Sequence, residues 1–425
     1  MNKFPQKLIS LADETEIALA DIFRDIDKIS GVNTMKVLNA FRENGVSETM
    51  FASSDGYGYT DRGRDVLDKI CAQIFGAESA FVRPSIISGT HAIAIALFGL
   101  LRPGDVMLSV TGKPYDTLEE VIGITGSAGE GSLKDFGVEY RQVDLIKGKS
   151  EADCIDFDAV KVQLATVGER AKVVFIQRSK GYGDRPTLTS ATIKKVAAFV
   201  HEISSAYVVV DNCYGEFTEI SEPADAENPK NSADIIVGSL IKNPGGGMAE
   251  TGGYIAGTEK AVLLCGNRLT TPGIGLHAGA SLGQNKNMFR GFFYAPHTVA
   301  QAIKTAHFAA YMLEKLGYET SPSPFERRSD IIQTVKLNSA EMLIKFCCGI
   351  QSGSPVDAHL APEPWAMPGY AHEVIMAAGA FVQGASIELS ADGPLTPPYM
   401  AFMQGALTYE SGKFGVMTAL AGMLE

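Results

Sequence analysis

The chain has 425 residues, 45% of them hydrophobic and 20% charged, with a formal net charge of -12. That length exceeds one ordinary core, so a large domain with a smaller one is expected, and the composition is that of a globular protein rather than a disordered or fibrous one. Acidic and basic residues are interleaved, which argues against nucleic acid or an anionic membrane as the main partner and leaves a small molecule as the expected ligand.

The opening MNKFPQKLISLADETEIALADIF is too acidic and interrupted for a signal peptide, and no uncharged apolar run of 18 residues occurs. From residue 7 to 43 apolar positions recur at spacings of three and four, predicting a helix that Gly45 stops. Asp55-Gly-Tyr-Gly-Tyr-Thr-Asp-Arg-Gly-Arg64 is too rich in glycine for helix or strand and reads as an ordered loop, followed by a helix from Asp65 to Phe75. A segment around Phe81 to Ile87 then runs into Ser88-Gly89-Thr90-His91 and the apolar helix AIAIALFGLL. A loop glycine before a helix is how many anion sites begin.

Short apolar runs next alternate with helical patterns, at 106–110, 173–177, 207–211, 234–240 and 252–257. They are apolar almost throughout, as expected of strands covered by helices on both faces, so the fold class is α/β with a mostly parallel sheet. Residues 261–320 read as largely helical, and from 321 shorter strands and helices suggest the smaller domain. Six cysteines show neither a C-x-x-C pair nor a His at zinc-ligand spacing, which points to a reducing cytoplasm and to no metal site.

Three features carry chemistry. In Tyr207-Val-Val-Val-Asp211 the single charge stands at the end of a buried strand, where ligands of open α/β sheets bind; the alternative is a turn or helix-cap Asp. In Gly238-Ser239-Leu240-Ile241-Lys242-Asn243-Pro244-Gly245-Gly246-Gly247 a lysine sits between an apolar strand and three glycines. Desolvation there would lower its pKa, which an imine-forming amine needs, and Ser239 could offer a hydroxyl to a phosphate. Ser88, Gly89 and Thr90 at a helix start form the third feature, a phosphate cradle of small residues and free N–H groups. Pyridoxal phosphate needs an imine lysine, a carboxylate on its ring nitrogen, an anion cradle and a flat partner for its ring. Lys242, Asp211, residues 88–90 and Tyr115, which follows the strand at 106–110, fill those roles.

GYGYTDRGRD, RPSIISGTHAI, TGKPYDTLEEVIG, IQRSKGY, DNCYGEF, GSLIKNPGGGMAETGGYIAG, APHTVAQA, PEPWAMPGY and ELSADGPLTPPYMAFMQGALTYE occur in that order. Together, over roughly residues 20 to 415, the chain resembles the bacterial methionine gamma-lyase-like or aluminium-resistance family. That family lies within the fold-type I pyridoxal-phosphate enzymes, of aspartate-aminotransferase-like fold. The resemblance implies pyridoxal 5'-phosphate as cofactor, Lys242 as Schiff-base lysine, Asp211 on the pyridine nitrogen and Tyr115 as stacking residue. It implies Ser88, Gly89, Thr90, Ser179 and Ser239 as cofactor contacts. In cystathionine-type lyases a tyrosine-containing loop enters the neighbouring subunit's site, and Tyr57, Tyr59 and Arg62 or Arg64 resemble it, implying a homodimer or homotetramer with shared sites. The implied organisation is a helical arm and inter-subunit loop over 1–60, a large cofactor domain over 61–320 and a small domain over 321–425.

The resembling chains carry an Arg two residues after the Pro of S-A-D-G-P, where this sequence has Thr396, and no Arg follows Arg328. A substrate carboxylate usually meets a bidentate Arg. Arg178, at the end of the 173–177 strand, is the best remaining candidate, with Arg327 and Arg328 behind it. The implied reaction is carbon-sulfur lysis of a sulfur-containing amino acid, releasing thiol, keto acid and ammonia. Aldol cleavage, transamination or simple cofactor holding are the alternatives.

Overall fold

The computed structural model describes residues 4–367 and 372–424. Its larger sheet contains β1 (Ser79–Arg83), β2 (Val106–Ser109), β3 (Glu139–Gln142), β4 (Ala171–Gln177), β5 (Tyr207–Asp211), β6 (Ile235–Ser239) and β7 (Gly253–Gly257). They lie in the order β1-β7-β6-β5-β4-β2-β3. Strands β2 to β6 pair in parallel, and only β7 runs antiparallel, to β6 and to β1. The smaller sheet contains β8 (Glu319–Ser321), β9 (Gln333–Lys336), β10 (Val374–Ala378), β11 (Ser390–Pro394) and β12 (Met400–Gln404), in the order β10-β11-β12-β9-β8 and antiparallel throughout.

Alternation along the strands explains why their sequences are apolar on both faces. Val208 and Val210 of β5 join Val174 and Ile176 of β4 in one cluster, under the helices Arg62–Phe75 and Ser190–Ile203. Val209, Val173 and Phe175 join the opposite cluster, under the helices Gly89–Leu100 and Glu259–Leu269. A sheet covered on both sides has no polar face to display.

The first helix, Gln6–Glu43, lies along the helix Asn285–Lys315 of its own chain. Its Leu8 and Ala12 belong to the cluster of the small sheet, while Ile26, Val37 and Ala40 belong to that of the large sheet. The helix expected from Asp65 begins earlier, at Arg62, because the Asp61 carboxylate accepts from Arg64 N at 2.9 Å and caps it. Gly63 does not break this start; a Cβ there would lie 2.1 Å from the Met50 carbonyl, so only glycine fits. Ser390–Pro394 forms a strand despite its Gly and Pro, with Pro394 as its last residue. Among the described residues no helix is long and apolar enough to cross a membrane.

Candidate active site

A cavity of about 300 Å³ opens where β4, β5 and β6 end, walled on its far side by β10, β11 and β12. Gln177, Asp211 and Ser239, the last residues of the three parallel strands, all line it. Ligands of open α/β sheets bind at such carboxyl ends.

Lys242 follows β6 and precedes the tight turn Asn243–Gly245. The Asn243 amide donates to the carbonyls of Tyr214 and Glu216, both at 2.9 Å, so the lysine turn and the turn after Asp211 are tied together. Tyr214 is held at φ 73, in the left-handed region, with its ring centroid 3.9 Å from Lys242 Nζ. Burial disfavours the Lys242 ammonium, but Cys213, Tyr214 and Asp211 outweigh it and hold the pKa above the ordinary lysine value. This corrects the lowered value expected from desolvation: the sequence showed the apolar strand but not the acid folded against the amine. Burial pushes the Asp211 carboxyl up, against the pull of Lys242 and of the Cys213 N–H, which donates to it at 3.1 Å. A cationic ring N–H placed there would supply the partner that burial withholds.

At the other end of the cavity Ser88 caps the helix Gly89–Leu100, its hydroxyl accepting from His91 N at 3.1 Å. Thr90 and Thr117 share a hydroxyl hydrogen bond of 2.7 Å. A Cβ on Gly89 would stand 2.9 Å from Cys213 Sγ and 4.0 Å from Lys242 Nζ, so glycine keeps the cradle open. The Ser239 hydroxyl is buried without a partner. An orphaned hydroxyl, a helix N-terminus and a glycine that clears space are what a phosphate group requires. Tyr115 lines the same cavity, its ring 5.8 Å from that of Tyr182. The residues present therefore fit pyridoxal phosphate: Ser88, Gly89, Thr90 and Ser239 for its phosphate, Asp211 for its nitrogen, Lys242 for its carbonyl carbon.

Gln177 and Ser179 face the cavity, and Arg178 between them points the other way, as alternate residues of extended chain do. Arg178 is fully buried and does not line the site. It donates to Asn212 Oδ1 at 2.7 Å and Glu219 Oε2 at 2.8 Å, and pairs with Glu222 at 3.2 Å. Contrary to the sequence expectation, it is therefore not placed to meet a substrate carboxylate in this cavity. Arg327 and Arg328 line a different cavity, against the first helix, and Thr396 lines neither of the two. Among the described residues lining the active cavity there is no arginine.

The expected inter-subunit loop lies outside this chain's own cavity. Tyr57 and Tyr59 are exposed, their rings stacked at 5.4 Å. Arg64 is buried and donates to the carbonyls of Gly58 and Gly279 at 2.5 and 2.9 Å, so it braces its own loop, and with Tyr59 it lines a separate surface cavity. Arg62 is the exposed arginine of the pair, because Asp61 starts the helix there and turns Arg64 inward. Sequence reasoning also missed Cys213 and Tyr214, and on the far wall Ser386, Ser390, Asp392 and Gln404. Only the acid in S-A-D-G-P offered a signal.

The family model described as methionine gamma-lyase matches residues 8–424. The chain belongs to the methionine gamma-lyase family. It is 51% identical over 416 residues to the uncharacterized protein YnbB of Bacillus subtilis, covering 97% of this chain and 96% of that one. A Listeria monocytogenes crystal structure, of a candidate cystathionine beta-lyase involved in aluminum resistance, superposes with a TM-score of 0.91 at 50% identity over 97% of this chain and 98% of that one. More distantly, the pyridoxal-5'-phosphate dependent protein YhfS of Escherichia coli shares the fold, with a TM-score of 0.60 at 15% identity over 93% of this chain and 97% of that one. The architecture is thus that of the fold-type I pyridoxal-phosphate enzymes, and the members of the family with descriptive names are described as lyases.

Proposed function

We propose that the chain is a pyridoxal-phosphate-dependent carbon-sulfur lyase acting on a sulfur-containing amino acid. One observation carries this reading: Lys242, Asp211, the orphaned Ser239 hydroxyl and the Gly89 cradle converge on one cavity, in a chain of the methionine gamma-lyase family. When bound, pyridoxal phosphate supplies a carbonyl that condenses with an amine and a ring that withdraws electrons from the carbon bearing that amine.

The chain's own residues divide the remaining work. Lys242 Nζ yields its place to the substrate amine and then takes the proton from the adjacent carbon. Asp211 would hold the proton on the ring nitrogen, a contact that its burial strengthens. Tyr115, which lines the cavity beside Tyr182, would give the cofactor ring a flat neighbour. The exposed Tyr57 and Tyr59, with Arg62, support a homodimer or homotetramer in which the loop of one copy completes the site of another.

The test is to incubate the cofactor-loaded protein with methionine, cystathionine, cysteine and threonine and to assay thiol, keto acid, aldehyde and glutamate. Thiol with keto acid from a sulfur substrate is the expected result. Aldehyde from threonine, or glutamate in the presence of 2-oxoglutarate, without thiol would replace lysis by aldol cleavage or transamination.

A further inference from the structure

Among the described residues three charged groups line the cavity, and the lyase reading assigns two of them, Lys242 to the cofactor's carbonyl and Asp211 to its ring nitrogen. The third is Asp392. It lies on β11, on the wall that faces Lys242, and Ser390, two residues before it, projects from the same face of the strand. Three polar atoms of this wall are buried without a hydrogen-bond partner: Asp392 Oδ1, Ser390 Oγ and Ser386 Oγ.

The groups around the carboxylate explain what is missing. Its other oxygen accepts from Gln404 Nε2 at 3.3 Å, and the Tyr182 hydroxyl also bonds to it. Behind the sheet the Cys347 thiol, on the helix Ala340–Ser352, is pushed far up by burial and stays neutral. The cation it senses is Lys242, across the cavity, and Asp211 adds a second negative charge on that side. A carboxylate oxygen buried and unmatched requires a donor, and a cation most of all. Among the described residues no arginine lines this cavity, and its far wall presents an acid.

We propose that Asp392 is the specificity residue of the site and selects amino acids that carry a second amine at the far end of the side chain. The inference rests on the lyase reading for the roles of Lys242 and Asp211. The hydroxyls of Ser390 and Ser386 take the remaining protons of that ammonium. Burial pushes the Asp392 carboxyl up to about 6, against Tyr182, Gln404 and Lys242. Above that pH it is ionised and holds the cation; below it the carboxyl is neutral and the selection fades.

The experiment titrates the cofactor-loaded protein with L-ornithine and L-norleucine, which differ by an ammonium in place of a methyl and contain no sulfur to be cleaved. Binding is read from the change in cofactor absorbance. At pH 8 ornithine should bind about ten-fold or more tightly, the size of one charged hydrogen bond. The preference should approach parity at pH 5, vanish in Asp392→Asn and survive in part in Asp392→Glu. If Asp392→Asn does not load cofactor, the wild-type pH dependence and Asp392→Glu decide the matter. Equal binding at pH 8, or an undiminished preference in Asp392→Asn, overturns the proposal. Thiol release from L-cystathionine and S-(2-aminoethyl)-L-cysteine, which carry both a thioether and a second amine, is measured separately. Its absence defeats the lyase reading, whereas the binding preference alone decides for or against Asp392.

Discussion

Replacing Arg178 by Leu separates a structural arginine from a substrate-binding one. Its guanidinium is shared by the buried carboxylates of Glu219 and Glu222 and by Asn212. A loop passes so close that a Cβ on Gly215 would lie 2.4 Å from Arg178 Cδ. Removing one member of a buried ion pair leaves an uncompensated charge and costs about 3–5 kcal/mol. Glu219 keeps Arg327 at 2.9 Å and Glu222 keeps the Phe217 N–H at 2.9 Å, which places the expected loss at the lower end of that range. Arg178→Lys, which retains the charge without the fork, should recover part of it. Urea unfolding of the cofactor-loaded proteins reads the stability, and steady-state kinetics on the folded enzyme reads KM. We expect a stability loss of about 3 kcal/mol with KM changed by less than about three-fold. Stability within about 0.5 kcal/mol of wild type together with a KM raised ten-fold or more would show that the guanidinium meets the substrate and that this placement is wrong.

Two further perturbations probe the same architecture. Gly89→Ala puts a methyl 2.9 Å from Cys213 Sγ in the cradle, so a titration with pyridoxal phosphate should show affinity lowered about ten-fold or more while circular dichroism stays native; unchanged affinity would move the phosphate elsewhere. Glu216, buried with one oxygen unpartnered and with Glu222 nearby, has its carboxyl pushed up to about 8 from an ordinary 4.5. The folded state therefore binds a proton that the unfolded state releases between those values, so wild-type stability falls as pH rises through that window, by roughly 2–5 kcal/mol. Glu216→Gln carries no such titration, and its stability relative to wild type should climb from pH 5 to pH 8; parallel profiles would show that Glu216 is already ionised.

Much of the fold was legible because its strands are buried on both faces. Val208 to Val210 have no polar alternation to blur, and Asp211 stands out against them as the acid at the strand end. Lys242 was legible for a related reason, since the glycines after it forbid an exposed surface loop. What escaped reading depends on contacts across the chain. Burial pulls the pKa of Lys242 down as its apolar neighbours suggest, but Cys213, Tyr214 and Asp211, more than 25 residues upstream, together outweigh it. Arg178 was misassigned because its position beside a strand end is visible in the sequence while the direction of its side chain is not. Asp392 escaped reading because nothing in the sequence brings its strand, 150 residues after Lys242, onto the wall facing that lysine.

The central claim is that Lys242 carries the cofactor. The most direct measurement is borohydride reduction of the protein loaded with pyridoxal phosphate, followed by peptide mass mapping and repeated on Lys242→Ala. The account predicts a yellow wild-type protein whose pyridoxyl label maps to Lys242 alone, and a variant in which both colour and label are lost. A label on any other lysine, or one that persists undiminished in Lys242→Ala, would contradict it.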